Sequence, residues 1–486
     1  MFAGGLEEGV GIRHERKPST SRTRARREWP AALGLAALLG VGCRCSSDPP
    51  SATVAVSTPP AQPACVRGSA QLTLAAAAEP RATEPPLDPD LELPFATEPG
   101  MALAARAGFV ATALQHEPRG AVALLGRVGA DDAPTQLVEL GHVRGEVLPP
   151  RVAGDAGDLW VVLQDGTGPG RELRVGRFEN ADLSAPARWR QGPSQPNAES
   201  SAFDIAASAS GALLVYEEWA AAGNHGRIVA APLARDLAGE GRLEGKPVTL
   251  PGTDAEAPRV SARRGGYWLA WLVNTRAPAP SRTGPEEQPE PAAPDAYGAR
   301  WLALVRLDAA GAVSGTVVRL TGKTERVVGY DLTTSPSGAA WLSWRQDAPT
   351  PGASGGRVFI AEVREDGGRD SAMVRDADVG SGEPTWLYAA DEPERWLTFP
   401  DARDRTLLMR VTGWQQVEAP LRLGPAFAAA SALAAADGQI LFAQPRGKAL
   451  ELFPARCVPT LGLASDAGAG PWVPTLDAGA RVRGGR

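Results

Sequence analysis

Seven polar residues recur at one place in a repeating pattern. Asp165, Glu217, Glu218, Asn274, Asp347 and Asp401 lie where runs of branched or aromatic residues end, and Arg345 lies beside them. Carboxylates grouped in this way can hold a cation, hydrogen-bond a sugar or face a basic peptide. At ordinary solvated loop ends they do none of these, and spacing alone leaves both readings open. The other chemistry-bearing residues are sparse. Histidine occurs four times, at 14, 116, 142 and 225, which is too scattered for a metal site, and no cofactor is implied. Residues 352–356 (GASGG) match the nucleophile-elbow pattern, but an elbow needs a strand before it and a helix after it, and here a strand follows. Gly166, Gly168 and Gly170 crowd a loop with no helix behind it to bind phosphate. No catalytic residue is assigned.

The elements that must position these side chains are short strands. Residues 257–271 (APRVSARRGGYWLAW) read as an alternating strand, a tight turn over 263–266 and a second strand rich in aromatic residues. The hairpin recurs, and its turn is marked by Gly108, Gly157, Gly211, Gly265, Gly338, Pro393 and Gly438. These are 45 to 55 residues apart, except for one gap of 73 that contains a Pro-rich insertion of 23 residues, 275–297. Behind each turn come a second strand (LWVVLQ, YWLAWLV, AWLSWRQ) and a third (ELRVGRF, RWLALVRL, TLLMRV). Six weaker fourth strands follow, among them PVTLPG and TVVRLTG.

A period near 50 with four short strands per unit resembles the β-propellers, whose blades are four-stranded antiparallel sheets around a channel. The resemblance covers residues 65–459 and rests on repeat count and strand order; no Trp-Asp blade motif and no regular Asp-box is present. It implies an all-β fold of seven blades. The seventh unit lacks an outer strand, and residues 71–74 (QLTL) near the other chain end are similar to the strands that would fill it. Closure of one blade by both chain ends leaves no unpaired edge at the joint. In that arrangement Cys65 and Cys457 flank the same blade, and a disulfide between them is expected in an exported protein. The loops after second strands fall on the face where blades connect, which makes the polar set above candidate ligand-binding loops. Trp160, Trp268, Trp271, Trp341, Trp344 and Trp396 sit within strands and read as core.

The N-terminus carries Arg13, Arg16, Lys17, Arg22, Arg24, Arg26 and Arg27 ahead of an apolar run at 31–41, too short to span a bilayer but suited to a signal peptide. Residues 40–43 (GVGC) then resemble the lipobox of bacterial lipoproteins, with Gly40 where that family carries Leu. The resemblance implies acylation of Cys43. The expected organisation is a signal peptide at 1–42, a Pro/Ser-rich lipid-anchored tether at 43–64, the propeller at 65–459 with 275–297 disordered, and a disordered tail at 460–486. Seven basic and four acidic residues lie in 1–42, so the 50 and 56 of the whole chain become 43 and 52. A mildly acidic body argues against nucleic acid. These features point to an exported, cell-envelope protein of the outer-membrane lipoprotein kind, touching the membrane through its lipid alone. The function expected is a non-enzymatic binding scaffold for an envelope protein, peptide or glycan. The alternative is an envelope glycoside hydrolase or lyase, which needs two carboxylates roughly 5 to 10 Å apart across the channel mouth.

Overall fold

The computed structural model describes residues 65–457 apart from 76–96, 276–298 and several shorter stretches. The signal peptide, the tether with Cys43, nearly all of the 275–297 insertion and the 460–486 tail lie outside the described residues.

The described residues form seven antiparallel sheets, six of them in sequence order and the seventh closed by the two N-terminal strands. Blade 1 comprises Thr97–Ala105, Gly108–Glu117, Gly120–Gly129 and Gln136–Val143. Blade 2 comprises Arg151–Gly154, Leu159–Asp165, Glu172–Phe178 and Arg188–Ser194. Phe203–Ser208, Gly211–Ala220, His225–Ala234 and Lys246–Pro247 make blade 3. Blade 4 takes Ala255–Arg263, Gly266–Asn274, Arg300–Asp308 and Val318–Arg319. Val327–Thr334, Ala340–Gln346, Arg357–Val363 and Arg369–Met373 form blade 5. Blade 6 is Thr385–Trp386, Arg395–Pro400, Thr406–Val411 and Leu421–Arg422. Blade 7 is Ser431–Ala436, Gln439–Arg446 and Ala449–Cys457, completed by Cys65–Arg67 and Leu72–Leu74.

Each blade is squeezed between two others, so its middle strands are buried on both faces. That is why Gly266–Asn274 (GYWLAWLVN) reads as a continuous apolar run rather than an alternating one. The turn before it needs Gly265, whose φ of 79° is costly for any residue with a Cβ. Packing divides into seven apolar clusters among the described residues, and each spans one pair of adjacent blades. Trp160 and Phe203 join blades 2 and 3, Trp271 and Leu213 join 4 and 3, and Phe442 and Trp396 join 7 and 6. The cluster between blades 7 and 1 includes Leu74 from the N-terminal segment, so the ring shuts on apolar contact as well as on hydrogen bonds.

The closing strand is longer and more broken than residues 71–74 suggested. Cys65–Arg67 pairs with residues 455–457, and Leu72–Leu74 pairs with 450–452 of the same strand. Between them the chain leaves the ladder opposite Pro454, which offers its carbonyl to the Gly68 N–H at 2.8 Å but has no N–H to return. The Cys65 and Cys457 sulfurs are bonded across this pair, which directly links positions 392 apart in sequence. The fourth strands of blades 3, 4 and 6 shrink to two residues each, since an outermost strand has one packing partner and water can serve its other edge.

Candidate functional site

Alternating strand direction puts the second-to-third loops and the blade-to-blade connections on one face of the ring. The seven polar residues singled out in the sequence are all near this face, and each is engaged locally. Asp165 accepts the Arg144 N–H at 2.9 Å and its Nε at 3.2 Å; partial burial works against the charge, but these bonds prevail and hold the carboxyl below its usual range. Glu218 holds Arg227 with Nε to Oε2 at 2.7 Å. Asn274 donates to Glu256 at 3.0 Å and accepts from Arg300 at 3.1 Å. Arg345 and Asp347 pair at 2.8 Å. Asp401 caps its own turn, taking the N–H groups of Arg403 and Arg405 at 2.8 and 2.9 Å and the Arg405 Nε at 2.8 Å. Its charge persists below the ordinary carboxylate range against the cost of burial, because of these bonds to Arg405 and Arg403. Glu217 is 1% exposed and takes the Ala257 N–H at 3.4 Å. None of the seven lines the cavity described next.

That cavity, of about 430 Å³, lies where the first strands begin, and so toward the same face of the ring. First strands face the channel, and four consecutive ones place a charge there: Arg151 in blade 2, Asp204 in blade 3, Arg259 in blade 4 and Asp331 in blade 5. The sign alternates from blade to blade, so each charge lies between blades carrying the opposite sign or none. The matching triplets Arg151-Val152-Ala153, Asp204-Ile205-Ala206, Arg259-Val260-Ser261 and Asp331-Leu332-Thr333 are a repeat within the sequence, weaker than the glycine turns that mark the hairpins.

The carboxylates tie neighbouring blades together. Asp204 accepts the Val260 N–H of blade 4 at 2.9 Å. Asp331 accepts its own strand's Leu332 N–H on one oxygen and the Trp386 N–H of blade 6 on the other, each at 2.8 Å. Tyr330, fully enclosed, offers its hydroxyl to the carbonyls of Ala257 at 2.6 Å and Ala270 at 2.8 Å in blade 4. Burial pushes this phenol far up, so it stays neutral and donates.

Blades 1, 4, 5 and 7 each bulge near the start of the first strand, at the cavity. In blade 4 the bulge holds Ala257 at a φ of 51°, a strained value for a residue with a Cβ. Glu217 grips the N–H of Ala257 and Tyr330 grips its carbonyl, so two neighbouring blades fix the backbone that aims Arg259. Glu383 then reaches Arg259 at 3.7 Å by lying across Gly329, where a Cβ would meet its Cγ at 2.3 Å. Apolar Met101, Leu148 and Leu433 form one wall of the cavity, and Thr385 and Ser431 add hydroxyls.

Burial pushes the Asp331 carboxyl up to about 6, with Arg259 and the two backbone N–H groups pulling the other way. Its neutral form is favoured by the fold. The resulting contribution to stability is fully present below the unfolded value near 3.8 and is lost as pH rises through about 6. Wild type should therefore lose about 3 kcal/mol relative to Asp331→Asn between pH 4 and pH 7, from a shift of roughly two units. Urea titrations of both proteins across this range check it; a stability difference that stays constant with pH contradicts it.

No protein-family model matches the chain, and no curated protein matches it. Among solved structures, it is similar to the β-propeller domain of the Trilobed protease from Pyrococcus furiosus (11% identity, 74% of this chain and 95% of that one, TM-score 0.43). It is also similar to hydrazine synthase from Kuenenia stuttgartiensis (12%, 76% and 97%, 0.44) and an α-L-arabinofuranosidase from Fusarium graminearum (11%, 64% and 93%, 0.38). At these values no activity is carried across.

Proposed function

We propose that this propeller is an exported, lipid-tethered binding scaffold of the bacterial cell envelope, non-enzymatic, that takes its ligand in the central cavity. The observation that carries this reading is the cavity itself: about 430 Å³, within the usual size of small-molecule sites, with charged groups converging on it from different blades. The Cys65–Cys457 bond is in keeping with an oxidising compartment. The clasped residues on the same face, Asp165 to Asp401, are read as the rim that shapes the entrance.

One observation favours an envelope glycoside hydrolase instead. Asp331 titrates near neutrality in a cavity that also holds Glu383, as a general acid beside a second carboxylate must. Against it stands the engagement of both Asp331 oxygens by backbone N–H groups, which makes the carboxylate a tie between blades 5 and 6. A proton donor must aim its O–H at the leaving group, and the two ties fix this carboxyl's orientation within the scaffold.

Ligand-observed NMR with a small-molecule library tests the binding reading on wild type and Ser431→Trp, which fills the cavity from an exposed position on its wall. Ligands that bind wild type and not the variant are the expected result. Ligands that ignore the substitution, or turnover of aryl glycosides that stops in Asp331→Asn, would overturn it. The tether has its own test. Cys43→Ala should move the protein from the membrane pellet to the soluble fraction, and retention in the pellet would contradict a lipid at Cys43.

A further inference from the structure

We propose that Arg151 receives the carboxylate of a small polar ligand in the central cavity. The assignment rests on the cavity being the binding site, and it comes from following the hydrogen-bond partners of each charged group there. Arg259 has Glu383 at 3.7 Å and donates to the Pro258 carbonyl at 3.2 Å. Asp204 is bonded to Val260, and Asp331 spends both oxygens on Leu332 and Trp386. Arg151, partly buried and lining the same cavity, makes no ion pair and no hydrogen bond among the described residues. It is a planar fork of five donors held in a concave wall. Burial is the main influence that weakens its hold on the proton, and Arg259 adds to it.

The surroundings choose the kind of anion. A guanidinium with no hydrogen-bond partner pairs a carboxylate through two parallel hydrogen bonds. A phosphate dianion brings a second charge toward Asp204, Asp331 and Glu383, all near enough to act on Arg151. The Met101, Leu148 and Leu433 wall suits a hydrocarbon body, and Thr385 and Ser431 suit hydroxyl or amide groups. An acidic sugar and the C-terminus of a short peptide both fit this description, and the carboxylate is what they share.

Calorimetry on the full chain tests the proposal with two matched pairs of probes: digalacturonate against neutral galactobiose, and Ala-Ala against its C-terminal amide. One carboxylate probe should bind at least tenfold more tightly than its neutral partner, and the pair that shows this preference identifies the source. Arg151→Gln should erase the preference, and Arg151→Lys, which keeps the charge without the fork, should retain part of it. Equal binding of charged and neutral probes, no saturable binding of either carboxylate, or an unchanged preference in Arg151→Gln overturns the assignment of Arg151. A probe that binds wild type and Ser431→Trp alike overturns the cavity reading beneath it, which separates the two failures. Thermal unfolding without probe guards against a folding defect. Arg151→Gln should melt at or above the wild-type temperature and Arg259→Gln below it, whereas an equal drop in both makes Arg151 a structural counter-ion and sinks the proposal.

Discussion

Replacing Cys65 and Cys457 together by Ser is expected to cost about 5 kcal/mol of stability. The bond closes a loop of 392 residues, which is the whole ring. In the chain-entropy model, a loop of that length restricts the unfolded chain by roughly 5 to 6 kcal/mol, and residual structure in the unfolded state trims the figure. The other ties are local: Arg67 donates to Gln444 at 2.6 Å and lies over the Phe453 ring. The N-terminal segment is held by two three-residue ladders interrupted opposite Pro454, and by Leu74 in the cluster between blades 7 and 1. An ion pair between Arg67 and Glu451 at 2.8 Å is partly exposed and adds less than about 1 kcal/mol. Denaturant unfolding of wild type with and without reductant should show the same loss as the double variant. A reduced protein as stable as the oxidised one would mean that the ladder and Leu74 close the ring unaided.

Asp158→Ala should be the most damaging single change at a charged residue, at roughly 3 to 5 kcal/mol. The Asp158 carboxylate is 3% exposed and binds Arg177 of blade 2 at 2.9 Å and Arg235, which follows the third strand of blade 3, at 2.6 Å. It also takes the Asn180 N–H at 3.3 Å, and Asn180 sits at a φ of 54° that this bond helps to hold. Removing the carboxylate leaves Arg177, itself 6% exposed, with only the exposed Glu179 at 3.2 Å for its charge, and breaking a buried pair costs several kcal/mol. The Asp158 carboxyl is held below its usual range: burial opposes its charge, and Arg235, Asn180 and Arg177 outweigh it. Its contribution is therefore present at neutral pH and lost as pH falls through that depressed value. Urea unfolding at pH 7 measures the cost of Asp158→Ala, and a loss below about 1 kcal/mol would show that Arg177 finds other partners.

The scaffold was legible in the sequence because its signals are local. A glycine turn followed by a run such as YWLAWLV marks a strand buried on both sides, and seven such marks at a steady spacing count the blades. The six strand tryptophans, from Trp160 to Trp396, are buried as their positions imply. The cavity was harder to read. A lone charge in a four-residue strand such as Arg151–Gly154 looks like the solvent face of an edge, and nothing in one blade shows that seven such faces meet at a channel. The rim residues stood out for the opposite reason: Asp165 and Asp401 look available until Arg144 and Arg405 are seen to occupy them. Only comparing the first strands with one another, Arg-Val-Ala with Asp-Ile-Ala, exposes the alternating charges.

The cavity at Arg151 is proposed as the place where this protein meets its ligand. A crystal structure of the full chain with whichever carboxylate probe binds in calorimetry tests it most directly. Electron density for that probe is expected in the cavity, its carboxylate within hydrogen-bond distance of the Arg151 guanidinium and its body against Met101 and Leu433. Density for the probe on an outer blade surface, with only water beside Arg151, would contradict it.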